Sequence, residues 1–447
     1  MSASYESPFN SRYGSADMRI IFSPHTKYTD WRFLWVWLAR GEQTLGLNIS
    51  NEQIEEMSKH IYDIPFERVA EIEQETHHDV MAHIKAYAEQ CPQAAPIIHL
   101  GATSAFVADN ADVMAIDRAI GLTLERVQEL RNALWYQADI HKQTPMLAYT
   151  HFQPAQPTTF GKRVCMWLQD LDNDYHRLER ERDNLEILGC KGATGTCASF
   201  MELFGGDYGK VVRLDSYIAN RVGICSTPIS GQTYSRKQDY YVFSVLSGIA
   251  QTLSKMANDI RLMSGRGEYY EPFGDKQVGS SAMAYKQNPI KCEKVVSLAR
   301  LIINNATAIA NTAANQWLER SLDDSAIRRV LIPETFLMID EILSTMTDVV
   351  KRGQVRGDVM LNNLSDEIPK LISEGVLMEA VKRGGNRQEL HEVIRQCTVL
   401  DTRDFIVAVS QDERFNLTTA EVLKMAETEK LVGAAPLQVN EYERKRR

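Results

Sequence analysis

Between Ile290 and Ile332 the chain carries neither glycine nor proline, and no other feature restricts its fold as strongly. A run of that length without a breaker holds one long helix or a pair of helices. Val295, Val296, Leu298, Leu301, Ile302, Ile303 and Ile309, set among alanines, leave it apolar on almost every side. Such a helix has to be surrounded, either inside a large bundle or by neighbouring subunits. Further long stretches, nearly free of breakers, run over 109–143, 158–188, 235–264 and 334–350. In 158–188, Val164, Leu168, Leu171, Tyr175, Leu178 and Leu185 fall at alternating four and three spacing, with Arg182 in one expected apolar slot, which is the pattern of a bundle seam.

Either side of these stretches the helices are shorter. Residues 27–45, 50–62 and 65–90 read as helices, the second opened by the capping-box spacing of Ser50 and Gln53. A connection rich in proline and glycine, 91–104, ends this first part. From about Leu364 short helices return over 366–382, 387–398, 402–410 and 418–430, and the charged tail 441–447 is expected to fray. No run of alternating β-branched residues and no βαβ rhythm is present. The expected fold is all-α with minor hairpins at most, in three helical domains: 1–108, a central long-helix bundle over 109–363, and 364–447.

Composition narrows the function. A net charge of -9 argues against general nucleic-acid binding, so an anionic ligand must be held by local basic groups. Seven scattered cysteines with no CxxC pair read as reduced thiols of a cytoplasmic protein. The N-terminus lacks the basic and apolar regions of a signal peptide, and no apolar run reaches ~18 residues, so neither secretion nor membrane insertion is expected.

Three breaker-rich islands, 144–157, 189–209 and 265–289, interrupt the central bundle and hold the reactive side chains. The last ends in Gly279-Ser280-Ser281-Ala282-Met283-Ala284-Tyr285-Lys286-Gln287-Asn288-Pro289. Small residues, a hydroxyl pair, a lysine and an amide there run into Asn288 as N-cap and Pro289 in the first turn. The positive end of the following helix would favour an anion or a deprotonated hydroxyl, which suits carbanion chemistry on a carboxylate. His151, beside Thr150 and ahead of a helix with Thr158 as its cap, is a candidate proton donor near neutral pH.

His77, His78 and His83 do not have the i,i+3 or i,i+4 spacing of a helical metal site; no metal is expected, and a histidine oriented by Asp79 towards an anion is the better reading. Lys191-Gly192-Ala193-Thr194-Gly195-Thr196 lacks the phosphate-loop pattern, but its small residues and hydroxyls suit carboxylates, as do those of Gly101-Ala102-Thr103-Ser104. Arg320, Ser325 and Arg329 fall within about three helical turns and are candidates for gripping a phosphate.

Together these motifs resemble the fumarase/aspartase superfamily and, within it, the adenylosuccinate lyases. The superfamily signature GSSxMPxKxNP is matched over 279–289, with Ala284 where proline is usual. Tyr285 ahead of the lysine favours the adenylosuccinate branch. Ser11-Arg12-Tyr13, the segment 98–104, Thr150-His151-Phe152-Gln153-Pro154-Ala155-Gln156, Ser230-Gly231-Gln232-Thr233-Tyr234-Ser235-Arg236 and the segment 316–325 are similar to further motifs of that branch, in order.

The resemblance implies β-elimination of fumarate from adenylosuccinate, giving AMP, and from the succinylated aminoimidazole carboxamide ribonucleotide of purine synthesis. It implies no cofactor, and a homotetramer whose central bundle is shared and whose sites draw on three subunits. Ser280 would be the general base and His151 the general acid, paired with Glu293. Lys286 and Asn288, with Thr103, Ser104 and Gln232, would hold the succinyl carboxylates. His78 and Thr150 would position the substrate, and Arg12, Tyr13, Arg320, Ser325 and Arg329 would surround phosphate and ribose. A sister lyase acting on argininosuccinate and a catalytically silent structural member are the alternatives; Tyr285 and the arginine cluster weigh against the first, the retained Ser280, His151, Lys286 and Glu293 against the second.

Overall fold

A computed structural model describes residues 5–446 apart from 275, 278, 280, 281, 284 and 428–430. The expectations placed on Ser280, Ser281 and Ala284 therefore lie outside the described residues. The chain is all-α: long helices carry it, and the strands pair into small two-stranded sheets. It divides into two compact units, one made of 1–126, 174–251 and 297–342, the other of 127–173, 252–296 and 343–447. Among the described residues no helix is long and apolar enough to cross a membrane.

In the first unit, helix Pro24–Thr44 starts where the Ser23 hydroxyl accepts the Thr26 N–H, with Pro24 in the first turn. It buries Trp31, Leu34, Trp35 and Leu38. The expected helix 65–90 is instead two, Phe66–Thr76 and Asp79–Gln90. His77 turns left-handed (φ 49°) to end the first, and the His78 ring Nδ1 accepts the Met81 N–H to start the second. The break folds Val69 and Ile72 onto Ala82 and Ala86, burial that one straight helix would forfeit.

The long helices are Ser104–Ile140, Phe160–Asp183, Lys237–Gly265, Ile290–Ala314 and Asp324–Arg352. The seam residues Val164, Leu168, Leu171 and Leu178 are buried, and Arg182 occupies its apolar slot by reaching the Asp117 carboxylate at 2.8 Å. The breaker-free run 290–332 is a pair of helices separated at 315–323, one of the two forms expected. One expectation needs correction: helix Asp324–Arg352 passes through Pro333, where a helix end had been expected. Proline forfeits one intrahelical bond, to the Arg329 carbonyl, but its φ is helical, and the deeply buried Ile332, Thr335 and Phe336 hold the turn in place.

In the second unit, strands Pro145–Thr150 and Gln153–Thr159 form an antiparallel hairpin in which Thr150 pairs with Gln153. Thr158 lies in the strand; the Thr159 hydroxyl, not that of Thr158, accepts the Lys162 N–H at the start of the next helix. A separate small core of Ile372, Val376, Leu390, Phe405, Val409 and Phe415 holds the C-terminal helices. The tail does not fray as expected: helix Ala435–Arg446 is anchored where Tyr442 donates to Asp172 at 2.5 Å.

Candidate active site

In the first unit a cavity of about 880 Å³ gathers His78, Thr103, Ser104, Gln232, Arg320, Ser325 and Arg329, residues scattered over 250 positions of sequence. Gly101 (φ 68°) makes the approach to Thr103 and Ser104 possible, since a Cβ there would meet Leu203 and Phe200 below 3 Å. The Gln232 N–H donates to the Glu319 carbonyl at 2.9 Å, and a Cβ on the adjacent Gly231 would strike that carbonyl oxygen at 2.4 Å. Gln232 is thereby fixed beside the segment that carries Arg320. Arg320 itself stands ahead of the helix rather than on it, while Ser325 and Arg329 occupy its first turns.

His78 is aimed by its own helix. With Nδ1 accepting a backbone N–H, the neutral ring carries its proton on Nε2. Asp79 does not orient it as expected: the Asp79 carboxylate accepts from the Val80 N–H at 2.8 Å and from Arg329 at 2.6 Å, and its nearer oxygen is 3.8 Å from His78 Nδ1.

Under the cavity lies a buried ionic lattice that sequence reading missed. Arg236 is bidentate on Asp109 (3.0 and 3.0 Å) and donates to Asp324 at 2.6 Å. Arg328 donates to Asp239 at 2.9 Å and lies 3.1 Å from Asp112. Tyr234, itself buried, donates to Asp239 at 2.6 Å beneath both guanidinium groups. The lattice ties the Gln232 loop, helix Ser104–Ile140 and the Ser325/Arg329 turn to one another. Its sequence signal was the Asp pair 323–324 followed four residues on by the Arg pair 328–329, which reads equally well as a solvated face. Arg12 and Tyr13 do not line the cavity; the segment that follows them is pinned where Gly14 and Ser15 donate to Glu341 and Asp340.

The other unit carries the remaining expected residues. His151 and Phe152 form the two-residue turn of the hairpin, both left-handed (φ 52° and 59°). Such turns favour Asn-Gly, so a His-Phe pair there stores strain on the order of 1–3 kcal/mol per residue. His151 is exposed at the tip, next to Thr150, and makes no hydrogen bond or ion pair with the described residues. Glu293 does not pair with it within the chain; it faces Arg261 at 3.9 Å.

Lys286 is exposed, and Asn288 donates to the Gly279 carbonyl at 3.1 Å, closing the loop on itself. The helix that follows starts at Ile290, and its N-terminus is already occupied. Glu271 accepts the N–H groups of Lys291 (2.9 Å) and Cys292 (2.6 Å). The dipole read as available to a deprotonated hydroxyl is therefore largely spent on Glu271, a cap twenty residues upstream that local spacing could not reveal.

A family model described as "Lyase" matches residues 5–303, and one described as "Adenylosuccinate lyase C-terminus" matches 369–442. The adenylosuccinate lyase of Saccharomyces cerevisiae is 42% identical over 99% of this chain and 94% of its own length. The chain belongs to the adenylosuccinate lyase family. Another relative, the adenylosuccinate lyase of Schistosoma mansoni, is 46% identical over 88% of this chain and 82% of its own. A fumarate lyase from Mesorhizobium sp. BNC1 shares the fold, with a TM-score of 0.84 at 24% identity over 98% of this chain and 99% of that one. As a member of the adenylosuccinate lyase family the chain is a lyase, and its cavity meets the need of such an enzyme for hydroxyl, amide and guanidinium donors around an anion.

Proposed function

We propose that this lyase removes fumarate from adenylosuccinate, leaving AMP, and from the succinylated aminoimidazole carboxamide ribonucleotide in the same way. The observation that carries the reading is the cavity of the first unit, where the hydroxyls of Thr103, Ser104 and Ser325, the Gln232 amide and the guanidinium groups of Arg320 and Arg329 converge from distant parts of a chain of this family. Ser325, Arg320 and Arg329 hold the phosphate and ribose side. Thr103, Ser104 and Gln232 hold succinyl carboxylate oxygens together with Lys286 and Asn288, so that charge developing on the carboxylate after proton loss meets fixed donors. Ser280 takes the proton from the carbon next to that carboxylate. His151 returns a proton to the departing nitrogen as the C–N bond breaks, and His78 and Thr150 position the substrate.

The chain works as a cytoplasmic homotetramer of three-domain subunits, with sites shared between subunits. Arg12 and Tyr13, absent from the cavity of their own chain, would serve a neighbour's, and Glu293 would meet a neighbour's His151. Trp317, Leu318 and Leu322, all more than 60% exposed beside Arg320, and the half-exposed Leu301 of helix Ile290–Ala314 fit surfaces that other subunits cover.

The test is steady-state turnover of both nucleotides by the purified chain and by Ser280→Ala and His151→Ala. Each variant should lose turnover by roughly a hundredfold or more while retaining AMP binding. Near-normal turnover in either removes that residue from the scheme. Mixing the two inactive variants with subunit exchange should restore part of the activity; exchange without recovery contradicts shared sites.

A further inference from the structure

The balance of charge in the cavity singles out Lys27. Helix Pro24–Thr44 begins at the cavity wall, and Lys27 sits at the end of its first turn, with its backbone N–H on the Ser23 carbonyl at 3.0 Å. Among the described lysines and arginines lining the cavity, Arg329 is committed to Asp79, Arg328 to Asp239 and Asp112, and Arg236 to Asp109 and Asp324. Lys27 and Arg320 make no ion pair or side-chain hydrogen bond with the described residues. Arg320 already has a role in the proposed reaction. The Lys27 ammonium lies instead against two rings, 5.4 Å from the centroid of Tyr28 and 5.3 Å from that of Trp31.

This is an expensive place for a cation. The first turn of a helix presents the positive end of its dipole, so a lysine there destabilises rather than caps. Burial lowers the Lys27 pKa from its usual value, and the nearby Arg329 and Arg328 push the same way, against Asp112 and Asp79. A group with the opposite dipole preference, half-enclosed and unpaired, creates a positive potential that only an incoming anion relieves. Arg329, which shares that corner, is half-neutralised by Asp79 and cannot balance a phosphate dianion alone.

We propose that Lys27 binds the phosphate of the nucleotide, next to Ser325 and Arg329, as the lysine that supplies charge where Arg329 supplies geometry. The inference rests on the nucleotide-lyase reading. Its test separates the two anionic products, AMP with a phosphate and fumarate with carboxylates only.

In the full-length protein, Lys27→Met should raise the inhibition constant of AMP and the KM for adenylosuccinate by about tenfold or more, leave that of fumarate within about twofold, and change kcat little. Lys27→Arg should recover most of the AMP affinity, and the melting temperature of Lys27→Met should stay level or rise. An unchanged AMP constant, or a loss for fumarate as large as that for AMP, overturns the assignment. Loss of both affinities with a lowered melting temperature identifies Lys27 as a structural counter-ion of Asp112 and overturns it equally. Should the unaltered chain fail to cleave adenylosuccinate, the lyase reading falls, while AMP binding by calorimetry to the same variants still decides on Lys27.

Discussion

The Arg329 guanidinium donates to the Asp79 carboxylate at 2.6 Å, joining the first turn of a short helix to a long helix 250 residues further on. Arg329 is 58% exposed, so the pair stabilises the fold by at most about 1 kcal/mol. Its effect lies in aiming the arginine. Asp79→Asn should leave thermal melting almost unchanged and raise the KM for adenylosuccinate severalfold; the two measurements together check it.

The buried lattice below behaves in the opposite way. Arg236, Asp109 and Asp324 are each at most 3% exposed, and removing one partner strands the others in a low-dielectric site. Asp109→Ala should cost about 3–5 kcal/mol in urea unfolding, far more than Asp79→Asn.

Glu271 holds the N–H groups of Lys291 and Cys292 in the first turn of helix Ile290–Ala314, just beyond the signature loop. Glu271→Ala should lose about 1–2 kcal/mol of stability, as for other helix caps. Turnover should fall more steeply than that loss implies, because the loop that carries Lys286 and Asn288 ends on this cap. Parallel urea and kinetic measurements separate the two effects.

Buried Glu42 and half-buried His99 give stability opposite dependences on pH. Both Glu42 oxygens are buried without a hydrogen-bond partner among the described residues, and burial raises its pKa from 4.5 to about 9. Between those values the folded chain keeps a proton that the unfolded chain has lost, so stability falls as pH rises. Glu42→Gln should therefore gain on the unaltered protein between about pH 5 and about pH 8, by on the order of a few kcal/mol. His99, whose Nδ1 accepts from Trp35 at 2.8 Å, is lowered by burial from 6.5 to about 4. There the unfolded chain takes the proton first, and stability is lost as pH falls from 6.5 through 4. His99→Gln should flatten that acid limb in denaturation curves taken across the range.

The helical class was legible because breaker-free runs with a three-four apolar rhythm have few other solutions, and seam residues such as Leu168 and Leu178 are buried accordingly. The cavity residues were legible as motifs that resemble a family. What stayed hidden depended on long-range partners. Pro333 looks like a helix end until its buried neighbours are seen, and His77-His78 looks helical until the left-handed turn is seen. Glu271 has no local mark of a cap, and Lys27 has no motif; it stands out only when Arg236, Arg328 and Arg329 of the cavity are found already paired.

The most direct measurement is the loss of adenylosuccinate absorbance on adding the purified chain, with AMP and fumarate quantified by chromatography. The account predicts equimolar AMP and fumarate, with turnover abolished in Ser280→Ala. Adenylosuccinate left intact, or arginine and fumarate released from argininosuccinate in preference, would contradict it.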